Sequence, residues 1–168
     1  LEAPTEALPL GPVPLQFLGA GLIALAVAVI NGAGLRIIVV SVALSVVAWL
    51  GYVAAASLGF ETAAASGVGA FVGSLVGILA AYRLHVPSVA ITTAAILPMV
   101  PGAAVFRGLL GVVESGDSPA TLLTGFSTLA AAATVGIALA VGASLGIYLG
   151  QPLRASLGSV IRARARVR

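Results

Sequence analysis

The chain contains no cysteine. Disulfides, thiolate metal sites and cysteine nucleophiles are therefore excluded. Lysine is also absent, and there is a single histidine, His85. Only 8% of the 168 residues are charged, and aromatic residues make up 5%. Soluble domains carry roughly 25% charged residues. A soluble fold of this size could not cover its surface with so few. Disorder is excluded as well, because it needs low hydrophobicity and high charge. No metal-ligating cluster, Ser–His–Asp set, paired membrane aspartates or P-loop is present, so the sequence offers no enzymatic constellation and calls for no cofactor.

What remains is apolar. Hydrophobic residues make up 60% of the chain, and the mean hydropathy is +1.19. This composition predicts an all-α, polytopic membrane protein whose first partner is the lipid bilayer. The net charge of +3 does not indicate nucleic-acid binding, because four of the eight arginines crowd into the last seven residues. Beside a membrane span, such a patch is a topology signal or a headgroup contact.

A bilayer core about 30 Å thick needs roughly 20 helical residues. Five apolar segments qualify: Leu15–Asn31, Arg36–Leu58, Thr62–Tyr82, Pro87–Val113 and Pro119–Leu149. Asn31-Gly32-Ala33-Gly34 reads as a turn, with Asn31 as a helix C-cap. Ser118-Pro119 reads as an N-cap followed by a first-turn proline. The last segment is long and must tilt or extend beyond the hydrocarbon. Residues 1–14 hold two Glu, four Pro and no basic residue, and read as an extracytoplasmic linker. Residues 15–150 form the five-span unit, and residues 151–168 form an Arg-rich cytoplasmic tail.

Charge orients the spans. With the C-terminus inside, Arg36, Arg83, Arg154, Arg162, Arg164, Arg166 and Arg168 fall inside. Glu2, Glu6, Glu61, Glu114 and Asp117 then fall outside, as does the N-terminus. Trp49 and Tyr52 are expected toward the outer interface, and Tyr82 and Tyr148 near the inner one. Gly69, Gly73 and Gly77 recur at four-residue spacing, as do Gly142, Gly146 and Gly150. Such stripes let helix backbones approach, either within the chain or against a partner subunit.

The fourth segment carries two prolines in mid-span, Pro98 and Pro101. Each lacks the N–H of a helical bond and disfavours the α region for the residue before it. Two half-helices are expected, with Pro101 in the first turn of the second. The amides of Gly102, Ala103 and Ala104 would then point into the break as an anion site, and the freed carbonyls opposite could accept from an ammonium. A single proline would read as a kink. Pro98, Pro101, Gly102 and nearby Arg107 together read as a binding site. Arg107 lies about 9 Å from the end of the segment. It either snorkels, pairs with Glu114 or Glu61, or holds a substrate carboxylate through a bidentate contact. Thr92 and Thr93, just before the break, are further candidate contacts, though such hydroxyls commonly bond back to their own helix. Thr121, Thr124, Ser127, Thr128 and Thr134 form a polar stripe in the last span. No Asp, Glu, Lys or His lies in the middle of a span, so a proton-carrying group would sit at an edge or on another polypeptide.

The run Ile96-Leu97-Pro98-Met99-Val100-Pro101-Gly102-Ala103-Ala104 resembles the IPM-x-PG signature of the threonine/serine exporter family. The Gly69–Gly77 stripe, the loop Tyr82–Pro87 and the fifth span fit its five-span C-terminal half, or small subunit, in order and spacing. The likeness covers roughly residues 15–150, and departs at the acidic start and the Arg-rich tail. It implies export of threonine and serine across a bacterial inner membrane, driven by the proton motive force. Some two-subunit members are associated instead with dicarboxylates such as succinate. It also implies a second five-span half, fused upstream or separate. Two odd-numbered halves in series would be inverted repeats. Residues 1–14 would then link them.

Overall fold

The computed structural model describes residues 11–84, 86, 88–116 and 118–165, with side chains as far as Pro152 and Ala90 excepted. Glu2, Glu6, His85, Pro87, Asp117, Arg166 and Arg168 lie outside the described residues. The described chain is helical: α1 Val13–Ile30, α2 Leu35–Ser57, α3 Thr62–Leu84, α4 Ser88–Ile96, a 3₁₀ turn Leu97–Met99, α5 Gly102–Val113 and α6 Pro119–Ala165. Four helices are long and apolar enough to cross a membrane, or five if the pair bent by 50° at the break counts as one span.

The turns form where local backbone chemistry demands them. Asn31 caps α1, its Nδ2 donating to the Val27 carbonyl at 2.8 Å. Gly32 follows at φ +67, and Gly59 ends α2 at φ +89, both in the left-handed region that glycine tolerates. α6 begins at Pro119 as expected, with the Thr121 hydroxyl donating to Ser118 Oγ at 3.1 Å.

Several boundaries differ from expectation. α1 starts at Val13, so the end of the expected linker is already helical. α6 does not stop at Leu149 but runs to Ala165 through Pro152. Arg, Ala and Leu in that stretch are good helix formers, and one proline removes a single bond without ending the rotation. Tyr52, expected toward the outer interface, packs inside the bundle. It is buried in the cluster formed by Ala48, Ala55, Met99 and Leu139, with Trp49 tilted against it at 4.9 Å.

α3 is the centre of the bundle, packed on α2, α4 and α6. Its glycines explain why. A Cβ at Gly73 would stand 2.7 Å from the Ala48 Cβ on α2, and one at Gly77 would stand 2.7 Å from the Thr92 methyl on α4. A Cβ at Gly69 would meet Met99 Cε at 2.7 Å and the Ala48 carbonyl at 2.8 Å. On another face, Gly67 lies against Ala138 and Gly142, Phe71 and Ser74 against Gly146, and Ile78 against Gly150. Both numbers rise together, so α3 and α6 run parallel. The two glycine stripes are thus consumed inside the chain. Close backbone approach gains van der Waals contact that lipid cannot match. α1 docks on α2, and Ser45 Oγ donates to the Ala20 carbonyl at 2.8 Å.

Candidate functional site

The break opens where expected, but its chemistry differs in detail. Pro98 does not end the helical rotation. It tightens the chain into the 3₁₀ turn, and the Val100 amide donates to Leu97 O at 3.1 Å. That carbonyl is therefore occupied rather than freed. Val100 is extended, at φ −66 and ψ 126, as a residue before proline should be. Pro101, at φ −79 and ψ 50, flanks α5 instead of joining its first turn. These angles are close to an inverse γ-turn, and the Gly102 amide donates to Val100 O at 2.8 Å. Gly102 is thus removed from the expected set of free donors. The amides of Ala103 and Ala104 have no hydrogen-bond partner among the described residues. Ala103 is exposed and Ala104 half-buried.

Arg107 lies one turn further along α5. Its Nε donates to the Ala103 carbonyl at 3.2 Å. The side chain therefore leans back along the helix toward the break, as helical side chains do. Pro98, Pro101, Gly102, Ala103, Ala104 and Arg107 occupy one short stretch of the fold.

The threonines do not join them as a pair. Thr92 is buried; its hydroxyl donates to the Ser88 carbonyl at 2.8 Å, and its methyl fills the space beside Gly77. It is a packing residue that satisfies itself within α4. Thr93 is exposed on the other side of the helix. On α6, Thr124, Ser127, Thr128 and Thr134 also bond to carbonyls of their own helix.

Two features of the site escape a reading by spacing. Met99 anchors the end of the 3₁₀ turn by packing over Gly69, which ties the first half of the broken segment to α3. The second half is tied elsewhere. A Cβ at Gly108 would stand 2.7 Å from Leu129 Cγ, and one at Gly125 would stand 2.8 Å from the Val112 nitrogen. α5 thus lies against α6, and none of α1–α4 makes a comparable contact with it. Gly108, Gly111 and Gly125 were the available signal, but only pairing across the α5–α6 turn gives them meaning.

Comparison with known proteins gives the family. The threonine/serine exporter (ThrE) family profile matches residues 16–148. A probable threonine/serine exporter of Mycobacterium tuberculosis is 38% identical over 97 residues, 58% of this chain and 17% of that protein. A threonine/serine exporter of Corynebacterium glutamicum is 34% identical over 108 residues, 64% of this chain and 19% of that protein. The chain thus spans less than a fifth of the length of these curated relatives. No solved structure matches. The match over residues 16–148 and the long apolar helices make this a multi-pass bacterial membrane protein, and the chain belongs to the threonine/serine exporter family.

Proposed function

We propose that this chain is one membrane half of a secondary transporter that exports threonine and serine. The observation that carries the reading is the break itself. Two unpaired amides at the start of α5 and a guanidinium leaning toward them lie together, in a segment bearing the family's signature. Amides at a helix N-terminus favour a carboxylate, and arginine matches its two oxygens. Non-helical backbone at membrane depth persists only where protein or a wet cavity covers it. Val100, Gly102 and Ala103 are exposed on the chain by itself, which favours a second half as the cover. The proposed orientation is N-terminus out, C-terminus in, with the residues before α1 as the link between halves. Coupling to the proton motive force is part of this proposal. Its carrier would be Glu61, Glu114 or a group on the other half, since no span holds an acid near its middle. A purely assembling role through the Gly69–Gly73–Gly77 face is disfavoured, because α2, α4 and Met99 already fill that face.

The test is threonine efflux from preloaded cells that make this chain, the other half, or both. Efflux is expected only with both. Efflux from this chain alone would overturn the two-half reading. No efflux in any arm, with every protein in the membrane, would overturn the amino-acid reading and direct the assay to dicarboxylates. In the active pair, Arg107→Gln is expected to weaken apparent affinity roughly 10- to 100-fold, the worth of a hydrogen bond to a charged group. Membrane insertion should be unchanged. Equal affinity in that variant would remove Arg107 from the site.

A further inference from the structure

Between Pro119 and Pro152, α6 carries five glycines, and four have evident work. Gly125 admits the backbone of α5, and Gly142, Gly146 and Gly150 admit α3. Gly136 does neither. A Cβ there would meet nothing within 4 Å, and the residue is exposed. Glycine in a helix interior is destabilising relative to alanine. Within this chain no close approach offsets that cost.

Its position is informative. Close approaches to α5 fall at Gly125 and Leu129, Val135 reaches the core cluster that holds Ala65 of α3, and Ala138 meets Gly67. Gly136 lies close to where α6 passes from one neighbour to the other. A second observation concerns length. The apolar part of α6 holds 34 residues, which at about 1.5 Å each reach roughly 50 Å. The hydrocarbon core is about 30 Å thick. Tilt alone would have to exceed roughly 50°, beyond the 0–40° range of membrane helices. Gly142, Gly146 and Gly150 hold the C-terminal part of this stretch beside α3, whose own 23 residues suit the bilayer. By the register of those contacts, the part of α6 before Val135 projects past Thr62, the start of α3. It carries α5 with it. Exposed Phe106, Leu109, Leu123 and Phe126 make that hairpin apolar. It cannot stand upright in water.

We propose that Gly136 is a hinge. About it, α5 and the first turns of α6 swing as one rigid hairpin against the bundle of α1–α4 and the rest of α6. Val100–Gly102, the extended link at the 50° bend, is the second pivot. Gly108, Gly111 and Gly125 keep the hairpin rigid by locking its two helices together. The swing carries Ala103, Ala104 and Arg107 relative to Met99, which stays anchored on Gly69. The motion would open and close the break. That consequence rests on the transport reading above; the motion itself does not.

The absence of cysteine makes the test direct. Leu58→Cys at the end of α2 and Val113→Cys at the end of α5 place two nitroxide labels on exposed positions, one on each body. Pulsed electron–electron distance measurement is made on the full transporter in lipid, with and without Gly136→Ala. Two distance populations are expected with glycine, and one narrow population with alanine. The alanine has open space, so the variant is expected to melt higher, not lower, while efflux falls severalfold. A single narrow distribution with glycine, or the same two populations in both proteins, would overturn the hinge. Distances that respond to Gly136→Ala while no solute is exported would uphold the hinge and sink the transport reading. Unchanged distances with normal export would do the reverse.

Discussion

Gly73 lacks a side chain because Ala48 occupies the space one would need. The nearest atom to an added methyl would be the Ala48 Cβ at 2.7 Å, with its Cα at an ordinary 3.5 Å. The conflict is therefore one methyl against another, across the α2–α3 contact. Gly73→Ala should destabilise the protein by about 1–3 kcal/mol, the usual cost of overpacking. Ala48→Gly should cost about 1 kcal/mol through helix propensity alone. The double variant removes the clashing methyl and should recover most of the overpacking strain, with a coupling energy of roughly 0.5–3 kcal/mol. Thermal unfolding of the four proteins in one detergent checks this. Strict additivity would mean that the two residues do not meet, and would return the glycine stripe to the role of a surface for a partner.

The broken helix shows which features the sequence made legible. Prolines and turn glycines act on the backbone beside them, so the break, the cap at Asn31, the start of α6 at Pro119, and the positive-φ turns at Gly32 and Gly59 could all be read locally. What could not be read depends on partners distant in sequence. Nothing around Thr92 tells that Gly77 will bury its methyl. Nothing around Gly102 tells that Val100 O will take its amide, because that depends on Pro101 settling near ψ 50 rather than in the helix. The surviving element is a half-helix start with two open amides, and it should be wet. Single cysteines in this cysteine-free chain measure that. Ala103→Cys, at the exposed start of α5, should react quickly with a charged thiol reagent in cells carrying both halves. Added threonine should slow that reaction. Ala95→Cys, fully buried in α4, should not react. An inert Ala103→Cys would mean that the break is dry, which is incompatible with solute passing there.

At the scale of the whole molecule, the parallel course of α3 and α6 bears on how often the chain crosses the bilayer. Composition and length allow four or five crossings, depending on whether Ser88–Val113 passes through or turns back. Had it turned back, the α5–α6 turn would lie at the same end of the bundle as the α3–α4 turn. α6 would then enter from that end and run antiparallel to α3. The contacts run the other way, with Gly67 beside Gly142 and Ile78 beside Gly150. The N-terminal ends of both helices therefore lie at one end, and the broken segment must traverse the bundle to connect them. Five crossings, the count that goes with the proposed orientation, would put the termini on opposite sides, as the charge reading of the sequence expects. The expected outcome is that Ser115→Cys, in the α5–α6 turn, is labelled in intact cells by an impermeant thiol reagent. Arg83→Cys, beside the α3–α4 turn, should be labelled only after the membrane is opened. Labelling of both from the same side would mean a re-entrant segment, four crossings and termini on one side. Such a half could not form an inverted repeat with a partner of the same number of spans in series.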